Sequence, residues 1–138
     1  MLITRKAEFS ASHVCAQPTL SAEENLALYG AAANPNGHGH NFVVEVTLDG
    51  NPDPVTGMVF DLKALKDIIA REVIDPMDHR FLNREVPPFD RVVPTTENLA
   101  VHIWQRLAPR FAGTPVRLHN VRLFETGDLF VDYSGENA

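Results

Sequence analysis

Hydrophobic and polar residues alternate in two segments of the chain, residues 2–13 and residues 38–48. A period of two residues is typical of a strand with one buried face. In the first segment the inward series is Ile3, Ala7, Phe9 and Ala11, and it continues to His13. In the second segment the shared face carries His38, His40, Phe42, Val44, Val46 and Leu48. The pattern predicts two strands with histidines on the buried face.

Two later segments carry apolar residues at helical spacing. The first follows Asp61 as N-cap, and its stripe is Leu62, Leu65, Ile69 and Val73. The second is capped by Thr95 or Thr96, and its stripe is Leu99, Ile103, Leu107 and Phe111, helped by Ala100 and Trp104. Residues 17–37 are predicted to form a long loop with a short helix, because Ser21 and Glu24 have the spacing of a capping box.

Two closing strands are predicted at residues 116–125 and 129–133, joined by a tight turn at residues 126–128. The element order is then ββααββ. Strand pairs closed by hairpins, with helices between the pairs, indicate an α+β fold with a four-stranded antiparallel sheet and two helices on one face. A length of 138 residues suits one domain, so residues 1–138 are predicted to form a single domain.

Composition narrows the function classes. Hydrophobic residues make up 44% and charged residues 22%, as in globular proteins. The formal charge of -6 disfavours nucleic acid as a partner, since phosphate binding needs clustered Lys and Arg. Cys15 is the single cysteine, so no internal disulfide can form. No signal peptide or membrane span is visible, and we expect a cytoplasmic protein that does not enter a membrane.

The strongest local signal for chemistry is Gly37-His-Gly-His40. Residues i and i+2 of a strand point the same way, so His38 and His40 can bind one ion. His13, at the end of the inward face of the first strand, is the natural third ligand. Three histidines with an open fourth position are typical of catalytic zinc, whereas histidines in such a pattern also often satisfy local hydrogen bonds only.

Two further groups of residues could take part in chemistry. In Asp78-His79 a carboxylate stands beside an imidazole, which it can orient for proton transfer. Glu125 ends the predicted third strand, where a carboxylate can accept paired hydrogen bonds from an amino-imino edge such as that of a pterin or guanine. A solvated turn residue explains Glu125 equally simply.

Taken together, these motifs resemble the 6-pyruvoyltetrahydropterin synthases, which share the tunnelling fold with the 6-carboxytetrahydropterin synthases. The resemblance covers nearly the whole chain. It is carried in order by Phe9-Ser-Ala-Ser-His13, Asn34-Pro-Asn-Gly-His-Gly-His-Asn41, Asp53-Pro-Val-Thr-Gly-Met58, Asp78-His79, Thr95-Thr-Glu-Asn98 and Glu125-Thr126. The segment 20–30 looks more like the animal-type synthases than the shorter bacterial carboxy enzymes, which favours the pyruvoyl branch.

The resemblance implies a lyase that acts on 7,8-dihydroneopterin triphosphate. It implies that Zn²⁺ is bound by His13, His38 and His40. It also implies that Glu125 anchors the pterin ring, that Thr95 and Thr96 line the ring pocket, and that Asp78 and His79 transfer protons. Its tunnelling fold implies a homohexamer of two trimers in which three sheets join edge to edge into a barrel, and exposed edges of a four-stranded sheet agree with this.

One position departs from the family pattern. The catalytic cysteine of these enzymes lies shortly before the His-Gly-His motif, and the alignment of the motif puts Ala32 there. Alanine cannot accept a proton. Cys15, two residues beyond His13, shares the face of that ligand if the strand continues, so we predict it as a candidate catalytic residue, with an inert core cysteine as the alternative.

The alanine at position 32 leaves other functions open. The chain could be a 6-carboxytetrahydropterin synthase, an enzyme that cleaves the dihydroneopterin side chain, or an inactive paralogue that binds pterin and zinc. Retention of Asp78-His79 argues against a pure binding module. The triphosphate has several candidate partners that the sequence does not place: Arg5, Lys6, Arg80, Arg84 and Arg117.

Overall fold

A computed structural model of the chain describes residues 1–135. It shows a sheet built on two twelve-residue strands, β1 (Leu2–His13) and β2 (His38–Asp49). They pair antiparallel along their whole length, from Leu2 opposite Asp49 to His13 opposite His38. Burial alternates along both strands, as predicted, because one face is covered by helices.

Within residues 1–135 the sheet has five strands rather than the predicted four, in the order β3 (Arg80–Phe81), β1, β2, β4 (Arg117–Thr126) and β5 (Leu129–Tyr133). The added strand is β3 (Arg80–Phe81), which pairs parallel with Ala11 and Ser12 at the outer edge of β1. Two residues are too few to show an alternating pattern, so this strand has no periodic signal in the sequence. β4 (Arg117–Thr126) and β5 (Leu129–Tyr133) lie close to the predicted bounds and pair antiparallel.

The helical elements are also more numerous than predicted. α1 (Ala22–Tyr29) starts with the expected capping box of Ser21 and Glu24. α2 (Leu62–Ile69) follows Asp61, whose side chain accepts the Lys63 N–H, and runs through a π-helical turn at Ala70–Ile74 into the short α3 (Asp75–Met77). One turn, α4 (Leu82–Glu85), precedes α5 (Thr96–Leu107), which is capped by Thr95.

The core lies between the inward face of the sheet and the helices. Its largest fully buried side chains are Phe9, Phe42, Phe89, Leu48, Leu65, Ile69, Met77, Leu82, Leu99, Ile103, Leu107 and Leu123. The predicted stripe of α5 is buried throughout. In the first predicted helix, Leu65, Ile69 and Val73 are buried, but Leu62 is 50% exposed. Leu62 is the first residue of the helix, and the buried residues of α2 begin one turn later, at Leu65.

Because Leu65 is buried and Leu62 is half-exposed, we expect truncation of these two leucines to lower the stability of the protein by different amounts. Leu65→Ala removes a fully buried side chain and is expected to destabilise the protein by about 2–5 kcal/mol. Leu62→Ala removes a half-exposed one and is expected to cost roughly 1 kcal/mol or less. Thermal unfolding at one fixed protein concentration measures both. Equal losses would contradict the burial difference between the two positions.

Candidate metal centre

The long pairing of β1 and β2 brings the predicted metal ligands together. His13 stands directly opposite His38, and His40 stands opposite Ala11 one step along the same face. The His13 ring centroid lies 4.5 Å from that of His38 and 5.2 Å from that of His40, and the last two are 4.9 Å apart. The side chain of His13 is fully buried, and Phe42 packs against it and His40.

A fourth donor comes from β4. The pairing of β4 with β5 shifts register between Phe124 and Thr126, so Glu125 occupies an irregular position in the ladder. Such a bulge re-aims a side chain. Glu125 Oε1 lies 3.3 Å from His40 Nε2 and 3.6 Å from His13 Nε2. The ligand atoms of these four residues, with His38 included, all lie within 4.8 Å of one another.

Hydrogen bonding fixes the way His13 faces the cluster. Its Nδ1 lies 2.7 Å from the carbonyl oxygen of Pro94. A carbonyl only accepts, so Nδ1 carries the proton and Nε2 presents a lone pair toward the other imidazoles. This partner is not visible in the sequence, because a backbone carbonyl leaves no side-chain signal.

The protonation of the cluster follows from its burial. Desolvation lowers the pKa of His13, opposed by the Pro94 hydrogen bond and reinforced by the neighbouring histidines. Burial likewise lowers the pKa of His40. Within residues 1–135, His13 Nε2 and His40 Nε2 are buried without a hydrogen-bond partner. Glu125 approaches both at ion-pair distance, but not with hydrogen-bond geometry.

Buried nitrogen lone pairs without partners are costly unless something binds them. Here they converge with a carboxylate oxygen, and three nitrogens with one oxygen are a donor set that Zn²⁺ accepts. The residues present therefore suit a metal ion. Glu125 lies in the cluster of its own chain. Its contact with a pterin stays a prediction.

The Asp78–His79 pair lies at the edge of the sheet, beside β1. Asp78 accepts the Ser10 N–H through Oδ1 and contacts His79 Nδ1 through Oδ2, both at 2.9 Å. These bonds, the Ser10 N–H first, hold the pKa of Asp78 below its ordinary value. His79 donates its N–H to the Ser10 carbonyl and has a φ of 60°. This left-handed backbone is uncommon outside glycine and turns the imidazole outward, with 83% of its side chain exposed.

His79 lines a cleft of about 560 Å³. Ser10, Ser12 and Asn41 also line this cleft, and they belong to the face of the sheet opposite the helices. The metal ligands belong to the helix-covered face. One of these ligands, His40, nevertheless lines the same cleft as His79, whereas His13, His38 and Glu125 do not line it.

Cys15 lies on the side of the His13 ring that faces away from the other metal ligands. Its Sγ is 4.0 Å from His13 Nδ1, the ring nitrogen that faces away from the other ligands. Cys15 is buried, and its N–H donates to the carbonyl of Ala32 at 2.9 Å, so the two positions are neighbours. Burial raises the pKa of the Cys15 thiol to about 11, helped by the charges of Glu125 and Glu97. These contacts favour packing, and the catalytic role of Cys15 stays a prediction.

Thr95 and Thr96 stand at the start of α5. Thr95 Oγ1 accepts the Asn98 N–H at 3.2 Å, and Thr96 is buried. Both help to place the helix start next to Pro94, and their contact with a pterin ring stays a prediction. Glu97, which the sequence analysis did not single out, is exposed in this turn and close enough to affect Cys15. Its place inside the motif Thr95-Thr-Glu-Asn98 was the available signal.

The comparisons with known proteins agree with this geometry. The family described as 6-pyruvoyl tetrahydropterin synthase matches residues 2–136. The 6-pyruvoyl tetrahydrobiopterin synthase of Homo sapiens is 47% identical over 135 residues, with 97% of this chain and 91% of that protein covered. The chain belongs to the 6-pyruvoyl tetrahydropterin synthase family, an enzyme family with the tunnelling fold.

A solved structure and a more distant relative place the chain within this group. The structure of the Caenorhabditis elegans 6-pyruvoyl tetrahydropterin synthase superposes with a TM-score of 0.92 at 37% identity, covering 99% of this chain and 96% of that one. The 6-carboxy-5,6,7,8-tetrahydropterin synthase of Rickettsia felis is 27% identical over 111 residues, covering 69% of this chain and 80% of that protein. Among residues 1–135, no helix is long and apolar enough to cross a membrane.

The cluster predicts that the protein binds metal at about one ion per chain. Purified protein loaded with Zn²⁺ and dialysed should retain that amount by elemental analysis. His38→Ala combined with His40→Ala should abolish retention, because it removes two of the four donors. Metal that persists at full stoichiometry in the double variant would place the ion elsewhere.

Proposed function

We propose that the protein is a zinc-dependent lyase of the 6-pyruvoyltetrahydropterin synthase type, acting on 7,8-dihydroneopterin triphosphate in tetrahydrobiopterin biosynthesis. The observation that carries the proposal is the convergence of His13, His38, His40 and Glu125, two of whose buried nitrogens have no hydrogen-bond partner within residues 1–135. The higher identity and wider coverage with the pyruvoyl enzyme of Homo sapiens than with the carboxy enzyme of Rickettsia felis support the pyruvoyl reaction.

His13, His38 and His40, with Glu125, would hold the ion. Zinc bound there supplies Lewis acidity toward oxygens of the substrate side chain, so that neighbouring C–H protons become removable as triphosphate leaves. The buried setting contributes as well, because desolvation keeps His13 and His40 neutral and ready to ligate.

Asp78 and His79 would move the proton. The low pKa of Asp78 keeps its carboxylate ionised, so it accepts a hydrogen bond from His79 Nδ1. This contact leaves His79 Nε2 as the atom that exchanges a proton with the substrate. The exposed, outward-turned ring suits a substrate held by another surface.

The two halves of the site are proposed to meet between chains, in a homohexamer of two trimers. Support comes from the open cleft of His79, which is lined by His40 but by none of the other three residues of the metal cluster. The sheet also ends in β5 on one side, and on the other side β3 covers only Ala11 and Ser12 of β1. Edges of this kind favour pairing with further copies.

Mixed assemblies test this arrangement. Asp78→Asn and His38→Ala are each expected to be inactive alone, since one lacks the proton-transfer carboxylate and the other a metal ligand. If the site joins two chains, co-expression should restore activity at about a quarter of the sites in randomly mixed oligomers. No recovery in mixed assemblies would show that each chain carries a complete site. A monomer by light scattering would contradict the hexamer directly.

Product analysis tests the reaction itself, with zinc-loaded protein and 7,8-dihydroneopterin triphosphate. The expected product is 6-pyruvoyltetrahydropterin. Asp78→Asn should lower turnover by about 10²- to 10⁴-fold, the range of general acid–base groups. Cys15→Ala should keep turnover within about threefold, far below that range, because its thiol lies behind His13. A loss as large as that of Asp78→Asn would instead make Cys15 the catalytic thiol.

Ala32 favours a second candidate function. Without the family cysteine at this position, the protein could act on another pterin side chain, as a 6-carboxytetrahydropterin synthase or a dihydroneopterin-cleaving enzyme does, or serve as an inactive paralogue that binds pterin and zinc. The same assay separates these cases. A different product identifies altered chemistry, and metal binding without turnover identifies the inactive form. Ala32→Cys should raise pyruvoyl-forming turnover if the pocket retains the family geometry.

A further inference from the structure

We propose that Asn83 is a positioning residue for the metal centre, which it serves by holding the backbone next to His13. The inference rests on the proposed metal site. Asn83 Oδ1 accepts the N–H of Val14 at 2.8 Å, and Asn83 Nδ2 donates to the carbonyl of Val14 at 2.9 Å. Val14 directly follows His13, the most buried of the ligands.

The place of this contact in the sheet explains its importance. The pairing of β1 with β2 ends at His13 and His38, and the pairing of β1 with β3 ends at Ser12 and Phe81. Beyond that point, Val14 has no ladder partner on the β3 side. The carboxamide of Asn83 supplies the donor and the acceptor that a further strand residue would supply there.

The residue type suits this role. A carboxamide carries both an acceptor oxygen and a donor nitrogen, so it can replace a peptide group in a two-bond contact. An aspartate in the same place keeps the acceptor but sets a second oxygen against the Val14 carbonyl. A leucine of similar size makes neither bond.

The same segment holds β1 at a second point. Asp78 and His79 bond to the backbone of Ser10 at one end of residues 78–85, and Asn83 bonds to Val14 near the other end. The stretch of β1 between these points contains His13. Asn83 thus ties the chain segment that carries the proposed proton-transfer pair to the backbone of a metal ligand.

The imidazole of His13 is held by a different contact, its hydrogen bond to the carbonyl of Pro94. The ring and its backbone are therefore held by separate elements, and release of the backbone shifts Nε2 relative to the other donors. Groups bonded directly to metal ligands typically contribute about 10- to 100-fold to metal affinity, and Asn83 acts one residue away from the ligand, so we expect the lower end of this range.

The chain offers a matched control in Asn25. Its Oδ1 accepts the N–H of Gln17 at 2.8 Å and its Nδ2 donates to the carbonyl of Gln17 at 3.1 Å, the same two-bond contact on a residue that does not adjoin a ligand. Loss of Asn25 also removes a hydrogen bond from its Nδ2 to the carbonyl of Leu20 at 3.4 Å, so the control loses at least as many bonds as the Asn83 variants. Of these two asparagines, only Asn83 bonds to Val14, the residue that follows His13.

The experiment compares full-length wild type with Asn83→Leu, Asn83→Asp, Asn25→Leu and Asn25→Asp. Zn²⁺ affinity is measured by competition with a chromophoric chelator, and ligand geometry by the visible absorption of the Co²⁺ form. Both Asn83 variants should bind Zn²⁺ about tenfold more weakly and change the Co²⁺ spectrum. Both Asn25 variants should lower the melting temperature of the metal-free protein while keeping affinity and spectrum.

The outcomes separate this inference from the proposed function. Wild type that binds no Zn²⁺ overturns the metal site itself, and the positioning role with it. Wild type that binds Zn²⁺, with Asn83 variants that match it in affinity and spectrum, overturns the positioning role alone. Equal weakening in the Asn25 and Asn83 variants also overturns it, because general loss of stability then explains the effect. If a leucine variant does not fold, the aspartate pair gives the same comparison.

Discussion

The register between β1 and β2 is the constraint on which the rest of the structure depends. Twelve consecutive pairs place His13 opposite His38 and bring His40 onto the same face. A slip of one residue would turn the histidines of one strand to the opposite face and expose its apolar series. The inward apolar side chains of β2 are fully buried, so the core that stabilises the sheet also fixes the metal cluster; they are Phe42, Val44, Val46 and Leu48.

Burial and ligation support each other at this cluster. Phe42 packs against the His13 and His40 rings, and desolvation favours their neutral form, which is the form that binds a metal. The irregular pairing of β4 brings Glu125 to the same point, where its carboxyl oxygen joins the nitrogens of the three imidazoles. The proposed proton-transfer pair, Asp78 and His79, needs access to substrate and not burial. It stands at an exposed edge of the sheet, where a substrate can reach the imidazole. The fold thus separates a buried ligating half from an exposed proton-transfer half.

Local patterns of the sequence predicted the long elements well, because each carries a repeated signal. The alternation in β1 and β2 and the buried stripe of α5 are each reinforced over many residues. Short or irregular elements lack that repetition. β3 has two residues, and the π-helical turn at Ala70–Ile74 keeps an apolar pattern that reads as ordinary helix. The exposure of Leu62 depends on where α2 begins over the sheet, which helical spacing alone does not contain.

The sequence by itself determined four of the five strands, the principal helices and the family. It also identified His13, His38 and His40 as a set, since residues two apart in a strand share a face and His13 continues the inward face of the first strand. The tertiary structure decided what depends on contacts between distant segments. It placed Glu125 beside the imidazoles, set the Pro94 carbonyl on His13 and put Cys15 behind that ring. It also joined Asn83 to Val14, 69 residues away. Such contacts are made by backbone groups and by changes in strand register, and neither leaves a periodic trace in the order of side chains.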